Sequence, residues 1–146
     1  MNWKRFLVAS GVVFVFVWAM DFLVSEIFMK SANETLKPLW RPDMMSRIWV
    51  MVPIGVLVAL LFTFIFIKGR EGKGIVEGVR YGIVIWLFVS VPAGASWWSH
   101  LPIPYPIILR GLLFGLLETL IAGILVAAIY KPSPPARVAS PAVKEP

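Results

Sequence analysis

IILRGLLFGLLETLIAGILVAAIY, residues 107–130, is a run in which only Arg110 and Glu118 carry charge. Its length is near the ~20 residues that an α-helix, rising 1.5 Å per residue, needs to cross ~30 Å of hydrocarbon. Comparable runs occupy residues 6–29, 48–67 and 75–98. Membrane β-strands would be half as long and would alternate, whereas a helix satisfies the backbone of such runs internally. The composition agrees: 59% of residues are hydrophobic and 15% charged, and the mean hydropathy of +0.82 lies far above the balance of a soluble domain. These observations predict an all-α, integral membrane four-helix bundle over residues 1–131. The remaining 132–146, with five prolines in fifteen residues, is expected to be a disordered tail.

The same run carries a packing signal. Gly111, Gly115, Thr119, Gly123 and Ala127 recur at every fourth position, and Gly74, Gly78 and Gly82 form a similar ridge at the start of the third span. Small residues at this spacing let a neighbouring helix backbone approach closely, within the bundle or between protomers. The two ridges are compatible with packing of spans three and four, although they lie toward opposite membrane faces and need not meet.

Charge and aromatic placement suggest an orientation. The N-terminus, second loop and tail hold nine cations (Lys4, Arg5, Lys68, Arg70, Lys73, Arg80, Lys131, Arg137, Lys144), against five elsewhere (Lys30, Lys37, Arg41, Arg47, Arg110). The positive-inside rule then puts both termini in the cytoplasm. The first span follows Lys4 and Arg5 as a secretory signal would, but it is too long and lacks an Ala-x-Ala site, so it is expected to stay as a span. Trp3, Tyr81 and Tyr130 fall at the inner ends, and Trp40, Trp49, Trp97, Trp98 and Tyr105 at the outer ends, as interfacial belts require. Trp18 and Trp86 lie inside spans, where an indole N–H seeks an acceptor. The net charge of +6 suits anionic lipid headgroups rather than nucleic acid. Cysteine is absent, which excludes disulfides and thiol chemistry.

In the first loop, Ser31-Ala32-Asn33-Glu34 has the pattern of a capping box and predicts a short helix ending before Pro38. Asp43 is placed to cap the second span. The second loop, Lys68-Gly69-Arg70-Glu71-Gly72-Lys73-Gly74, has the composition of an anion cradle but neither dinucleotide nor P-loop spacing, and reads as a basic hairpin. The third, Leu101-Pro102-Ile103-Pro104-Tyr105-Pro106, should run extended along the interface.

Asp21 and Glu118 are the candidate site. Counted from the outer span ends, they lie roughly 12 Å and 10 Å deep, a common level. An Asp at the bilayer centre costs about 2.5–3.5 kcal/mol even on the lenient insertion scale, so such groups have partners or roles. Glu118 shares a face with Gly111, Gly115 and Ala122; Asp21 shares one with Trp18 and Ser25. Glu26, roughly 140° round the helix from Asp21, reads as interfacial. Span three adds Ser96 and His100, with Pro92 loosening the backbone between them and its inner half. Asp21, Glu118, Ser25, Ser96, Thr119 and His100 thus form a candidate intramembrane polar site. One reading makes the two acids a proton or cation site. The other makes them structural, hydrogen-bonded to Ser25, Thr119, a Trp N–H or each other. A metal on Asp21, Glu118 and His100 has no ligand-spacing motif behind it, so neither metal nor cofactor is expected.

No nucleophile elbow or His-Glu-x-x-His pair occurs, so no enzyme is expected. Small multidrug exporters share four spans and an intramembrane acid, but here the acids sit on spans one and four and the first loop is long. Asp21-Phe22-Leu23-Val24, Leu39-Trp40-Arg41-Pro42, residues 68–74 and Glu77-Gly78-Val79-Arg80-Tyr81-Gly82 resemble a family of small, uncharacterised bacterial membrane proteins with four transmembrane helices. The resemblance spans residues 1–131. It implies a bacterial inner-membrane setting and makes Asp21 part of a shared pattern, while Ser25 stands where such proteins often have histidine. The expected role is a non-catalytic scaffold or accessory subunit, partnered by the lipid bilayer and by copies of itself or a larger membrane complex. Proton- or cation-coupled transport of a small solute, by an oligomer, is the alternative.

Overall fold

A computed structural model describes residues 2–130; the tail expected to be disordered lies outside them. Helix α1 (Trp3–Leu23) continues into a π-helical turn (Val24–Phe28), followed by α2 (Lys30–Leu36), α3 (Met44–Arg47), α4 (Met51–Gly69), α5 (Ile75–His100) and α6 (Tyr105–Ile129). Among the described residues four segments are long and apolar enough to span a membrane: Trp3–Phe28, Met44–Gly69, Ile75–His100 and Tyr105–Ile129. The chain is therefore a four-helix membrane bundle, and no strand occurs among the described residues.

Around the bundle the order is α4, α1, α6, α5, with α5 against α6 the most extensive pairing and α4 touching α5 little directly. In lipid the hydrophobic effect does not drive helices together, so close fit must. The fit is closest where the two small-residue ridges meet. A methyl group added at Gly78 would sit against the Gly123 carbonyl oxygen and 2.8 Å from Ala127 Cβ; one added at Gly82 would lie 2.5 Å from the Thr119 carbonyl oxygen. The ridges run past each other because α5 and α6 are antiparallel, which brings the start of one beside the end of the other. Two ridge members take no part. Gly111 has open space where a side chain would be, and Gly74 belongs to the preceding loop, with φ +70°.

Val13, Ala59, Phe62, Phe66, Ala122, Val126 and Ala127 form the buried core of α1, α4 and α6. Tyr81 joins α5 to α4: its hydroxyl donates to the Phe62 carbonyl at 2.6 Å, and its ring meets Phe62 and Phe66 edge-on. Trp86, half-buried, satisfies its indole N–H by donating to the Leu112 carbonyl of α6 at 2.8 Å.

The start of α1, the second loop and the end of α6 gather at one end of the bundle. Asn2 N–H donates to the Tyr130 hydroxyl at 3.0 Å, while Arg70 donates to the Tyr130 carbonyl at 2.8 Å and stacks 5.2 Å over its ring. The glycines and cations of this loop do build an anion cradle, but the chain fills it itself. Glu77, only 6% exposed, accepts from the backbone N–H groups of Glu71, Gly72 and Lys73, the last two at 3.0 Å. Gly72 and Gly74, both at positive φ, allow the loop to fold over it. Glu71 in turn lies 2.5 Å from Lys73 and 2.9 Å from Arg80. The Lys73 ammonium and Arg80 guanidinium hold its carboxyl down at about 2.

Three expectations for the other loops need correction. Helix α2 forms, but Met29 precedes it without a side-chain cap, and Ser31 instead accepts at its carbonyl from the Thr35 hydroxyl at 3.0 Å. No capping box forms because helical hydrogen bonding already starts at Asn33 N–H to Met29 O, two residues ahead of the place a Ser31 cap requires. Asp43 precedes α3 without capping it, since its carboxylate is taken by Arg47 at 2.6 Å and Arg41 at 3.1 Å, which also lower its pKa. The third loop is extended at Leu101 but turns tightly at Pro102, where Ile103 N–H donates to the Leu101 carbonyl at 2.7 Å. Tyr105 opens α6, with Pro106 tolerated in a first turn whose N–H groups have no helical acceptor.

Candidate functional site

Asp21 and Glu118 face one cavity. It has a volume of about 630 Å³ and is bounded by α1, α4, α5 and α6. Antiparallel packing of α1 on α6 places the two acids at the common depth that counting along each helix gives, near enough to interact electrostatically. Glu118 is half-buried, and Asp21 lies at the open edge. Neither carboxylate has a hydrogen-bond or ion-pair partner among the described residues, and no Lys, Arg or His lines the cavity. The walls are apolar, from Phe14, Phe62, Ile54 and Ile85 among others.

Ser25 and Thr119 also line the cavity, but they do not bind the acids. The Ser25 hydroxyl accepts from Asn33 Nδ2 of α2 at 2.8 Å, and Thr119 donates back to the carbonyls of Gly115 and Leu116 at 3.0 and 3.1 Å. The structural reading of the carboxylates therefore loses two of the partners it named, the Ser25 and Thr119 hydroxyls, and is left with a Trp N–H and the other carboxyl.

Ser96 and His100 stand apart from the cavity, contrary to expectation. Both are exposed, and His100 Nδ1 lies 2.8 Å from the Ser96 carbonyl oxygen of its own helix. The reason is rotation. The α5 face against α6 is marked by Ser90 and Gly94, one turn apart; Ser96 is six residues beyond Ser90 and so about 240° round the helix. Ser90 takes its place. It lines the cavity and lies 3.2 Å from the position a Cβ would occupy on Gly115.

Glu26 is a further member that sequence reasoning put elsewhere. On a regular helix it would turn roughly 140° from Asp21. The π turn over Val24–Phe28, closed by Met29 N–H to Val24 O at 2.8 Å, takes up an extra residue and swings Glu26 to the cavity wall. No local signal marks this turn, since Val24-Ser25-Glu26-Ile27-Phe28 has no proline or glycine. Trp18 completes the site, its indole fitting over α4 only because residue 55 is glycine: a Cβ there would lie 2.8 Å from the indole nitrogen.

Chemically, three carboxylates and three hydroxyls surround a space of molecular size with no counter-charge. Among the described residues no three His, Cys, Asp or Glu side chains come close enough to hold a metal ion. The acids are spread round the wall, an arrangement that suits a proton or a larger cation better than a dehydrated metal. Compared with protein-family models, curated proteins and solved structures, the chain gives no match.

Proposed function

We propose that this chain is a non-catalytic bacterial inner-membrane protein, with both termini in the cytoplasm, whose carboxylate cavity takes up a proton or cation and couples it to movement of a small solute. The observation that carries this reading is the convergence of Asp21 and Glu118, from the first and last spans, on one cavity without a cationic neighbour. Unpaired carboxyls in a low-dielectric site gain from any cation that enters, and protonation cancels that gain, which is the elementary requirement for coupling. Residence in the bacterial inner membrane rests on the family resemblance, and the orientation on the positive charges.

The scaffold reading drew on small size, small-residue ridges and missing catalytic motifs, and of the ridge members Gly78, Gly82 and Gly123 are spent on contacts inside the chain. Reconstitution into liposomes tests the transport reading. Wild-type protein should carry cation- or proton-driven flux, and Asp21→Asn or Glu118→Gln should reduce it at least tenfold, as expected when a transmembrane charge site is neutralised. Flux unchanged in both variants would reject the proposal.

A further inference from the structure

Resting on the cation reading of the cavity, we infer that its preferred occupant is an amphipathic organic monocation, with an ammonium head among the carboxylates and an apolar body in an adjoining groove. That groove, about 350 Å³, lies between α2, α5 and α6, with Met29, Leu36, Trp97, Ile107 and Gly111 on its walls. Val89 and Ser90 line both spaces, so the groove and the carboxylate cavity meet at α5. Ser90 Oγ stands beside Gly115, and any side chain on Gly115 would press against it. Asn33, which lines the groove, is also the residue that holds Ser25 of the cavity, so α2 ties the two spaces together.

The two compartments differ in chemistry. All three carboxylates belong to the cavity; the groove offers methionine, leucine, isoleucine and tryptophan surfaces with only Asn33 and Ser90 polar. A bare ion would leave the groove without purpose, and an uncharged lipophile would leave the acids uncompensated. A zwitterionic lipid headgroup would bring a phosphate, for which neither compartment supplies a Lys, Arg or His. A cationic nitrogen on an apolar body matches both. Because α4 and α5 pack little against each other directly while both line the cavity, such a molecule has a lateral route from the lipid.

Equilibrium binding of 4-phenylbutylammonium to the full chain in phosphatidylcholine nanodiscs, with empty nanodiscs subtracted for partitioning, tests this. Tetramethylammonium reports the head alone and 4-phenylbutanol the body alone. The amine should bind saturably and about tenfold tighter than either, because only it uses both compartments. Glu118→Gln should bring the amine down to the level of the alcohol. Gly111→Leu should fill the groove and bring the amine down to tetramethylammonium, whose own binding stays unchanged. A side chain at 111 meets nothing within 4 Å of its Cβ, so this variant should fold, and Gly111→Ala controls for that. If tetramethylammonium equals the amine and Gly111→Leu alters neither, the amphiphile inference is overturned while the cation site stands. If neither cation binds above the alcohol, both readings fall. Loss of amine binding on adding phosphatidylethanolamine would assign the site to that lipid and also overturn the inference.

Discussion

Gly82→Ala should separate α5 from α6. The added methyl carbon would lie 2.5 Å from the Thr119 carbonyl oxygen and 2.8 Å from Leu120 Cα, where ordinary contact begins at 3.4 Å. Both opposing atoms are backbone, so no side-chain rotation relieves the overlap, and the helices must part by about 0.9 Å or tilt to the same effect. Overpacking costs ~1–3 kcal/mol, and the rigid neighbours place this case at the upper end. Alanine returns up to ~1 kcal/mol through its better helix propensity. The net loss is then about 2 kcal/mol, near thirtyfold in the ratio of folded to unfolded protein. Unfolding in mixed micelles by titration with sodium dodecyl sulfate, followed by far-UV circular dichroism, measures it. Gly111→Ala is the internal standard: it lies on the α6 small-residue ridge but has nothing within 4 Å of the new methyl, so it should be neutral or stabilising by up to ~1 kcal/mol. Should the two variants agree within about 0.5 kcal/mol, the close approach at Gly82 would be refuted.

The polar supports make three more predictions. Glu77→Gln replaces one acceptor of the loop N–H groups by a donor and removes charge-assisted bonds of ~1.5–3 kcal/mol, so the Gly72 and Lys73 amides should exchange hydrogen about 10- to 100-fold faster, and unaltered exchange would count against the cradle. Glu71 titrates at about 2 in the fold against 4.5 ordinarily, so its contribution is complete above 4.5 and disappears as pH falls through about 2. An NMR titration of its carboxyl carbon with a midpoint near the ordinary value would contradict the Lys73 and Arg80 contacts. Trp86→Phe removes the 2.8 Å bond to Leu112 and should cost ~0.6–2 kcal/mol in the same micelle assay, a loss that an unsupported indole would not show.

Much of this was legible in the sequence, for stated reasons. Run length and the fixed rise per residue predict four spans, and the same rise puts Asp21 and Glu118 at one level. Angular position is harder to read. The sequence reading takes Ser96, and Ser90 emerges only once the face of α5 against α6 is known, a face set by Gly78, Gly82 and Gly94 rather than by either serine. Glu26 was hidden by the π turn, which shifts helical phase without any residue that announces it. Glu77 reads as a solvated charge at a helix start; its burial depends on a loop folding back through two glycines at positive φ, a non-local event.

The order of the helices around the bundle has a consequence for biosynthesis. Glu118 lies on the span that is translated after the other three, and that span lies between α1 and α5. While the first three spans wait in the membrane, Asp21 has only α4 beside it and an open flank where α6 will sit. An intermediate that holds only the first three spans therefore lacks one wall of the cavity, and arrival of the fourth supplies that wall together with Glu118. Truncation before residue 105 should therefore leave a chain that inserts but lacks the α6 wall of the cavity, and Glu118 with it.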